Sequence, residues 1–544
     1  MDKIKLASTF LYKNLNEDLM EFGISENEIR EKILKNVLDP QNYQEILSSE
    51  DLNNPFLEIN NGFIFSKKEV FIKQGISNKI KEIFHSFQPI SSSLEAVVHQ
   101  IFHLNSEQIL ALHSSLKTPF FILTGGPGTG KTTTAAAMII SHILNGYGVD
   151  SISVIAPTGR AAGRITESLI KSFEKLKVET ILRKEQLEYL LSIKASTIHR
   201  LLAYSYSRDK FFKNSQNPIS SKLVLLDEAS MVSPEIFYSL LDAIPIGGKI
   251  IILGDSDQLP PVDSQKFFKP FLDNKFLIEN KYPVIEVKDE KDSSNKKVLQ
   301  VSLIKNHRTN SQNLINFLNE VKNEKLSSKN WIPFNEVETT LNEFSNPYQT
   351  ESGKIFFLES SFLKNKKDTE KFLEMYKGNI LNSTLSSSDT EITSNQIWKK
   401  ISSFQILCAL KQSGYGSSDF INNFLESKFR NSSKLLPRIM TYNNYNLNIF
   451  NGDMGTEYKG TVYFPIENKN RAFPKSLNGL ESAFAITVHK SQGSQYENVV
   501  LILPDDPFHE LNSKAMLYTG ASRTIRNILV IASGDILLEA LNKS

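Results

Sequence analysis

The sequence contains very little cysteine, since Cys408 is the single thiol among 544 residues. One thiol cannot form an intramolecular disulfide, and it excludes zinc fingers and four-cysteine iron–sulphur sites. Excess charge of one sign is also missing, because 62 Lys and Arg stand against 60 Asp and Glu, for a formal net charge of +2. Binding of nucleic acid through overall charge is therefore excluded, and any such contact must use a local groove.

Long apolar runs are missing as well. The longest, such as residues 250–253 and 499–503, are far shorter than the about 20 residues that a membrane-spanning helix needs. The N-terminus has acidic residues soon after a short apolar patch and no small-residue cleavage site, so no signal peptide is predicted. Together with the cysteine count, these features predict a cytoplasmic protein that does not contact membranes.

Apolar residues nevertheless make up 40% of the chain and aromatic residues 10%, enough for several cores and against wholesale disorder. At about 100 to 200 residues per domain, the length predicts three or four domains. Residues 1–95 mix charged and apolar residues at helical spacing, as in residues 26–38. This pattern predicts a small, mainly helical domain, and it carries no catalytic motif.

Beyond residue 96, short apolar runs alternate with helical stretches. The runs lie at residues 120–124, 151–158, 222–230 and 249–255. Continuous apolar runs are typical of strands buried on both faces, and the helical stretches between them predict crossover connections. The sequence therefore predicts an α/β fold with parallel sheets.

Two later segments differ from this pattern. Residues 382–395 are polar and predict a loop or linker. Residues 436–480 are rich in Tyr, Asn and Gly, with short candidate strands, and predict a small β module inserted in a larger domain. After residue 481 the α/β pattern returns.

The strongest motif is GGPGTGKT at residues 125–132, between a predicted strand and a predicted helix. Glycines let backbone N–H groups wrap the β- and γ-phosphates of ATP, Lys131 adds a point charge, and Thr132 offers a hydroxyl to Mg²⁺. The alternative is a glycine-rich turn with an incidental lysine, which the strand–helix context disfavours. The predicted nucleotide-binding residues are Gly125, Gly126, Pro127, Gly128, Thr129, Gly130, Lys131, Thr132 and Thr133.

A second motif places two adjacent carboxylates at the end of a predicted strand, where ligands of open α/β sheets bind. Asp227 is predicted to hold Mg²⁺, and Glu228 to orient and deprotonate the attacking water. On its own the pair is equally typical of a solvated strand end. Beside a phosphate loop, Glu228 favours ATP hydrolysis over mere nucleotide binding.

A third motif follows the fourth predicted strand at residues 253–261. An amide in this position can hydrogen-bond the γ-phosphate and sense its loss, and Gln258 is the candidate. Without the other two motifs, an ordinary strand–turn ended by proline explains the segment equally well.

In their order, these motifs and five others resemble those of superfamily 1 DNA helicases, and among them the RecD branch. The series reads GGPGTGKT, APTGRAA (156–162), TIHRLL (197–202), LLDEASMV (225–232), GDSDQLPPV (254–262), NHRTN (306–310), VHKSQGSQYENV (488–499) and YTGASRTIRN (518–527). The resemblance covers about residues 96–544 and is far more specific than a phosphate loop alone.

This resemblance implies two RecA-like P-loop NTPase domains with smaller additions. The implied ranges are a helical docking domain at 1–95, motor domain 1A at 96–300 with a hairpin insert at about 204–219, motor domain 2A at 301–435 and 481–544, and an SH3-like β insert at 436–480.

It also implies roles for individual residues. Gln108 reads the adenine edge, Gly493 lies beside the γ-phosphate, and Arg308 and Arg523 reach that phosphate from the second motor domain. Guanidinium groups there stabilise the charge of a transferring phosphoryl group, although a lone arginine is more often part of a surface ion pair. The implied single-stranded DNA contacts are Thr158, Arg160, His199, Thr487, His489 and Lys490. By itself, His199 is as typical of a structural hydrogen bond.

Two segments leave alternatives open. Residues 204–213 interleave aromatic and basic residues, which suits either base stacking by a hairpin or a surface loop whose Phe211 and Phe212 pack inward. Glu286 and Lys288, with Asp273 upstream, match the acid–x–lysine trio of two-metal nucleases. For this trio a strand of the motor core is the favoured interpretation, and nuclease chemistry is expected in a RecB-like partner.

The implied activity is an ATP-dependent helicase that moves 5′ to 3′ on single-stranded DNA. It acts at ends of double-stranded DNA in break repair and recombination, within a RecBCD-type exodeoxyribonuclease V that includes RecB-like and RecC-like subunits. Alternatives are a free-standing helicase of the same branch, which the short N-terminal region disfavours, and a scaffold that binds nucleotide without motion. Intact Lys131, Asp227, Glu228, Arg308 and Arg523 argue against the scaffold.

Overall fold

The chain folds into two α/β lobes with a small β module and an N-terminal addition. The structure, a computed structural model, describes residues 24–25, 57–60, 63–88, 95–175, 179, 181–205, 207–255, 257–259, 286–288, 295–297, 300–305, 311–324, 326, 331–345, 353–381, 403–429, 435–444, 447, 449–466, 469–506, 509, 511–535 and 537–538. Within these residues, none of the helices has both the length and the apolar character needed to span a bilayer. The predicted linker at 382–395 lies outside them.

Lobe 1 is built on six strands, all paired in parallel. In spatial order they are Gln300–Leu303, Phe120–Gly125, Lys249–Gly254, Leu223–Leu226, Ile152–Ala156 and Ser196–Thr197. Its helices are Glu95–Phe102, Ser106–Lys117, Lys131–Leu144, Gly159–Lys175, Lys184–Leu191, Ile198–Leu201 and Pro234–Asp242. The four predicted strands are all present.

Both faces of this sheet are covered, which explains the continuous apolar runs. Phe121 and Leu123 belong to the core on one face, while Phe120 and Ile122 belong to the core on the other. Because successive side chains of a strand point to opposite faces, a strand between two helical layers must be apolar at every position. The central strands are accordingly buried along their whole length.

Lobe 2 repeats this architecture with five parallel strands. In spatial order they are Ile355–Glu359, Thr524–Ala532, Tyr496–Ile502, Phe404–Cys408 and Ala485–Thr487. Its helices are Gln312–Lys322, Val337–Ser345, Lys366–Tyr376, Ser418–Phe429 and Lys514–Ala521. Two parallel sheets with helices on both faces confirm the predicted fold of paired P-loop-type lobes.

The β module is a five-stranded antiparallel sheet inserted in lobe 2. Its strands, in spatial order, are Lys469–Pro474, Thr461–Ile466, Met454–Tyr458, Leu436–Met440 and Leu480–Ser482. Its small core includes Met440, Ile449, Val462 and Phe464. The likeness of this module to an SH3 barrel stays a prediction.

Arg438 ties the β module to lobe 2 through two carboxylates. Its guanidinium lies 2.9 Å from Glu426, on a lobe 2 helix, and 2.6 Å from Glu457, on the neighbouring module strand. The Arg438 side chain is 13% exposed, so its removal leaves two carboxylates facing each other in a poorly hydrated place.

We expect Arg438→Met to lower the free energy of unfolding by about 2 kcal/mol, less than for a fully buried pair because Glu426 is partly hydrated. Chemical denaturation measures the change. Arg471→Met, at an exposed position of the edge strand Lys469–Pro474 in the same module, is the matched control. Equal stability of the two variants would contradict the anchoring role of Arg438.

The N-terminal region differs from the mainly helical prediction. Its longest described element is the helix Lys67–Ser86, but three short antiparallel strands, Ile24–Ser25, Leu57–Asn60 and Phe63–Ser66, precede it. The helix buries Ile72, Ile76, Ile80 and Ile83 in a core of lobe 1. It therefore forms part of the wall of lobe 1.

One further prediction is corrected. Glu286–Lys288 pairs with Asn295–Lys297 in a separate two-stranded sheet, so it is not a strand of the motor core. Among the described residues no group of three or more His, Cys, Asp or Glu side chains is placed to hold a metal ion. Asp273 lies outside the described residues.

Candidate functional site

The phosphate loop, residues 125–132, joins the buried strand Phe120–Gly125 to the helix Lys131–Leu144. Gly128 and Gly130 have φ angles of 83° and 88°, a left-handed conformation that glycine adopts readily. The helix begins directly after this turn, so its free N–H groups face the loop and its dipole favours a bound anion. The loop thus has the geometry of a phosphate-binding turn.

Lys131 folds back over this loop. Its Nζ donates hydrogen bonds to the carbonyl oxygens of Gly125 at 2.6 Å and Gly126 at 3.1 Å. The Thr129 hydroxyl also donates to Gly126, at 2.9 Å. These bonds hold the ammonium group at the mouth of the loop, where a phosphate would meet it.

Asp227 and Glu228 follow the strand Leu223–Leu226, two strands from the phosphate loop. The Asp227 amide donates to the carbonyl of Ile155 at 2.9 Å, which fixes the chain where the sheet ends. Burial, and next the Glu228 carboxylate, raise the pKa of Asp227 to about 7, while Lys131 opposes this shift. Glu228 has a φ of 50°, a strained value for a non-glycine residue that is common at functional sites.

The donors at this edge fit a magnesium ion. The Thr132 hydroxyl and the Asp227 carboxylate are oxygen donors, and Mg²⁺ typically takes one or two protein oxygens together with substrate phosphates and waters. Thr132 and Thr133 occupy the first turn of the helix and are half-buried. A bound cation would also favour the charged form of Asp227, whose pKa is raised by burial and next by the Glu228 carboxylate.

Asp255 and Gln258 follow the strand between these two elements. Asp255 is 2% exposed and accepts a hydrogen bond from Gln258 Nε2 at 3.0 Å. Gln258 Oε1 is buried and has no hydrogen-bond partner among the described residues. The amide is thus held by its nitrogen, and its oxygen is left for another contact.

Gln108 lies at the start of the helix Ser106–Lys117. Its Oε1 accepts a hydrogen bond from the Asn105 amide at 3.1 Å, and Asn105 Oδ1 accepts one from the Gln108 amide at 2.9 Å. This reciprocal pair is a capping box. An adenine contact by Gln108 therefore has to use Nε2.

Arg523 from lobe 2 faces the carboxylates of lobe 1. It is 4% exposed and donates hydrogen bonds to the Thr519 carbonyl at 3.1 Å and to Ser522 Oγ at 3.0 Å. Burial lowers its pKa, and the negative charges of Glu228 and Asp255 oppose that shift. The guanidinium is therefore within electrostatic reach of the acidic edge. Arg308, the other predicted arginine, lies outside the described residues.

Gly493 is in van der Waals contact with the same edge. A Cβ at Gly493 would lie 4.0 Å from Glu228 Oε1 and 3.9 Å from Arg164 Nη1. Its φ of 73° requires a residue that accepts the left-handed conformation. Gly493 and Arg523 of lobe 2 thus lie beside Glu228 of lobe 1, in a crevice between the lobes.

Two of the predicted DNA-binding residues meet at the boundary between the lobes. Arg160 Nη1 donates to the Lys490 carbonyl at 3.3 Å across that boundary. Thr487 Oγ1 accepts from the Lys490 amide at 3.2 Å, and Thr158 Oγ1 accepts from Ala161 at 3.2 Å. Thr158 in lobe 1 and Thr487 in lobe 2 therefore each stabilise the turn that follows a strand.

The two histidines among the predicted DNA-binding residues, His199 and His489, are both partly shielded from water. Burial lowers the pKa of both His199 and His489, so each is neutral near pH 7. His199 packs on the rings of Tyr204 and Phe211, with centroids 5.2 and 5.5 Å away. These are the contacts of a packed ring, and both the DNA contact and the structural hydrogen bond of His199 stay predictions.

The segment 204–213 forms a short hairpin. Tyr204–Ser205 pairs antiparallel with Lys210–Phe211. Phe211 packs on the core of lobe 1, whereas Phe212 is 42% exposed, with the cations of Arg208 and Lys210 5.6 and 5.8 Å from its ring centroid. Phe211 therefore packs inward and Phe212 does not, and base stacking by this hairpin stays a prediction.

Sequence reasoning missed three buried polar residues at the crevice, namely Arg164, Asp255 and Tyr518. Burial, and next the charges of Arg160 and Arg523, lower the pKa of Arg164 to about 10. Asp255 and Tyr518 stand inside quoted motifs, so position in a motif was the available signal. Their roles depend on contacts between the lobes, which residue spacing does not show.

Comparisons with known proteins agree with this architecture. Residues 108–264 match the AAA domain family, and residues 482–531 match the UvrD-like helicase C-terminal domain family. The crystal structure of Bacteroides Pif1 bound to ssDNA aligns over 80% of this chain and 94% of its own, at 19% identity and a TM-score of 0.40. That score is too low to bear on the fold.

Curated relatives extend over most of the chain. The RecBCD enzyme subunit RecD of Buchnera aphidicola is 28% identical over 482 residues, covering 80% of this chain and 74% of the relative. The same subunit of Haemophilus influenzae is 26% identical over 502 residues, covering 88% and 77%. The ATP-dependent RecD2 DNA helicase of Deinococcus radiodurans is 35% identical over 161 residues, covering 30% and 19%.

The two parallel-sheet lobes, the crevice between them and these relatives agree. They show an ATP-dependent DNA helicase of superfamily 1 that is similar to the RecD subunits.

Proposed function

We propose that this chain couples ATP hydrolysis to 5′-to-3′ movement along single-stranded DNA, as the RecD-like subunit of a RecBCD-type helicase–nuclease. The observation that carries the proposal is the crevice, where the buried Arg523 of lobe 2 faces Glu228 and Asp255 of lobe 1. A site completed from two lobes makes hydrolysis depend on closure, and closure is the movement that a motor uses.

Within this proposal, different residues of lobe 1 bind the phosphates, accept the proton of water and bind the adenine of ATP. Lys131 leaves the loop carbonyls for the β- and γ-phosphates, and the N–H groups of residues 125–132 wrap the same oxygens. Glu228 accepts the proton of the attacking water, and Gln258 Oε1 or Nε2 senses the γ-phosphate or the water beside it. Gln108 Nε2 binds the adenine edge.

Mg²⁺, held by the Thr132 hydroxyl and the Asp227 carboxylate, would supply positive charge to the phosphate oxygens. Arg523, together with Arg308, adds positive charge from lobe 2 when the lobes close. Gly493 lies beside Arg164 and Glu228 with a left-handed φ of 73° that favours glycine at this approach. The charge on the phosphates is thus balanced from both lobes.

The DNA side of the proposal rests on Thr158, Arg160, Thr487, His489 and Lys490. Hydroxyl groups, a neutral imidazole and two cations suit contacts with a sugar–phosphate backbone that carry no sequence preference. The Arg160–Lys490 bond spans the lobe boundary, so relative movement of the lobes alters the grip on the strand.

The partner part of the proposal rests on the curated relatives, which are named as subunits of a RecBCD enzyme. We propose docking of RecB-like and RecC-like chains through residues 1–95, at ends of double-stranded DNA in the cytoplasm. RecD2 of Deinococcus radiodurans is named as a helicase in its own right, which makes a free-standing helicase the second candidate.

Two experiments test the proposal. Affinity purification of the chain from its native source is expected to recover two much larger chains in equal amounts, whereas recovery of the chain alone would favour the free-standing helicase. Assays of the purified protein are expected to show ATPase activity stimulated by single-stranded DNA, and displacement of a duplex with a 5′ tail but not a 3′ tail. ATP binding without stimulated hydrolysis would favour a scaffold.

Affinity for single-stranded DNA is expected to fall with salt, because each phosphate contact releases counterions. The slope of log K against log salt should be about −0.7 per contact. Lys490→Met should reduce that slope by about 0.7, and the matched control Lys184→Met, on an exposed helix of lobe 1, should leave it unchanged. Fluorescence anisotropy at several salt concentrations measures both slopes. A Lys490→Met slope equal to that of the wild type would remove this residue from the interface.

A further inference from the structure

A short segment of lobe 1 is held by four side chains of lobe 2. The segment, residues 255–259, follows the strand Lys249–Gly254. The lobe 2 side chains that contact it are Lys322, Gln492, Tyr518 and Thr519. Among the residues that the structure describes, these contacts make the segment the main polar joint between the lobes.

Three of these contacts hold Leu259 and Asp257 of the segment. Thr519 Oγ1 accepts from the Leu259 amide at 2.8 Å, and Gln492 Nε2 donates to the Leu259 carbonyl at 3.1 Å. Lys322 lies 2.6 Å from Asp257. They fix the backbone of the segment, but none of them reaches the phosphate loop.

The fourth contact does reach it. Tyr518 is 3% exposed, and its hydroxyl donates to Asp255 Oδ2 at 3.3 Å. The same hydroxyl lies 3.0 Å from the point that a Cβ on Gly126 would occupy. A residue of lobe 2 therefore places one polar atom directly against the phosphate loop of lobe 1.

The protonation of this phenol suits a permanent donor. Burial, and next the negative charges of Asp255 and Asp257, raise the pKa of Tyr518 well above its ordinary value. The hydroxyl thus keeps its proton at any pH at which the enzyme works. It is therefore able to donate its proton to the hydrogen bond with Asp255.

Asp255 Oδ2 receives two donors from opposite lobes. Gln258 Nε2 donates to this oxygen at 3.0 Å from lobe 1, and the Tyr518 hydroxyl donates to it from lobe 2. Asp255 Oδ1 accepts from the Asp257 amide at 3.2 Å. The Asp255 carboxylate therefore orients the Gln258 amide, and it accepts the Tyr518 hydrogen bond only when lobe 2 is in contact.

We propose that Tyr518 is a positioning residue for ATP hydrolysis: its hydroxyl, through Asp255, orients Gln258 toward the γ-phosphate only when lobe 2 is closed on the phosphate loop. This inference deepens the proposed function and rests on it. When the lobes separate, Asp255 loses one of the two donors to its Oδ2, so the carboxylate that holds Gln258 is less well fixed and hydrolysis waits for the next closure.

The test is Tyr518→Phe, which removes one oxygen and keeps the ring. The lost hydrogen bond to a carboxylate should lower the DNA-stimulated kcat by about 10-fold. The KM for ATP should change by less than about threefold, because the phosphate loop and Lys131 still bind the nucleotide. Tyr376→Phe removes another buried hydroxyl from lobe 2, far in sequence from the crevice motifs, and should leave kcat unchanged.

A second variant separates positioning from general packing. Because Tyr518 and Gln258 act through the same oxygen, Tyr518→Phe combined with Gln258→Met should be no slower than Gln258→Met alone. Multiplied effects in the double variant would overturn the proposal, as would a Tyr518→Phe kcat within twofold of the wild type. Thermal melting of each variant shows whether the fold is retained. Thr519→Val removes another contact between the lobes without touching Asp255, so its effect on kcat should add to that of Gln258→Met.

Failure of this inference is distinguishable from failure of the proposed function. DNA-stimulated ATPase activity in the wild type and its loss in a Lys131 variant test the function itself. If both of these results are obtained and Tyr518→Phe behaves like the wild type, the proposed function stands and only the positioning role of Tyr518 is refuted.

Discussion

Replacement of Lys131 with glutamine is expected to abolish DNA unwinding and to reduce ATP hydrolysis by about 1,000-fold or more. The Lys131 ammonium group sits at the mouth of the phosphate loop, bonded to the carbonyls of Gly125 and Gly126. Glutamine can still donate hydrogen bonds to those carbonyls, but it carries no charge. The phosphates then lose their main cationic side chain from lobe 1, and the charge that develops during transfer is poorly balanced.

Steady-state ATPase and strand-displacement assays measure this change. Lys171→Gln, on an exposed turn of a lobe 1 helix, is the matched control because it removes the same charge from the same lobe. The control is expected to retain both activities, and circular dichroism should show equal folding of the two variants. Unwinding by Lys131→Gln at the wild-type rate would refute the assignment of the nucleotide site.

Lobe 1 was predictable from sequence because its signals are local. The strands Phe120–Gly125 and Lys249–Gly254 are apolar at every position since they lie between two helical layers. The glycines of the phosphate loop take left-handed φ angles that few other residues tolerate. Physical constraints on single residues of this kind are visible in a sequence without any knowledge of distant contacts.

The N-terminal sheet was missed although its signal was present. Asn60 pairs with Phe63, so residues 61 and 62 connect the strands Leu57–Asn60 and Phe63–Ser66. The sequence at these positions is Asn-Gly, a pair strongly favoured in two-residue hairpins. The helical spacing of residues 26–38 was given more weight than this turn, and the strands were overlooked.

The polar joint between the lobes was not predictable by any local rule. Tyr518 and Asp255 are 263 positions apart, and Gln492 and Leu259 are 233 apart. Neither hydropathy nor spacing distinguishes a tyrosine that packs in its own lobe from one that bonds across a crevice. Such roles emerge only when the fold brings two motifs together.

Glu228→Gln is expected to bind ATP and Mg²⁺ normally and to hydrolyse ATP about 100-fold or more slowly. Glutamine has the same shape as glutamate and accepts the left-handed φ of 50° no less readily, so the turn after the strand should persist. What it loses is the ability to take a proton from water. Filter binding of labelled ATP and single-turnover hydrolysis separate the two effects, with Glu188→Gln on an exposed helix as the matched control.

This variant also reports on the motor. If hydrolysis is the step that releases closure, Glu228→Gln should remain closed around ATP and hold single-stranded DNA with at least wild-type affinity, because Arg523 stays within electrostatic reach of the acidic edge. Normal turnover by Glu228→Gln would show that another group takes the proton. Slow turnover with weakened DNA binding would contradict the coupling of the ATP crevice to DNA binding. The Arg160–Lys490 bond between the lobes would then not depend on the state of the nucleotide.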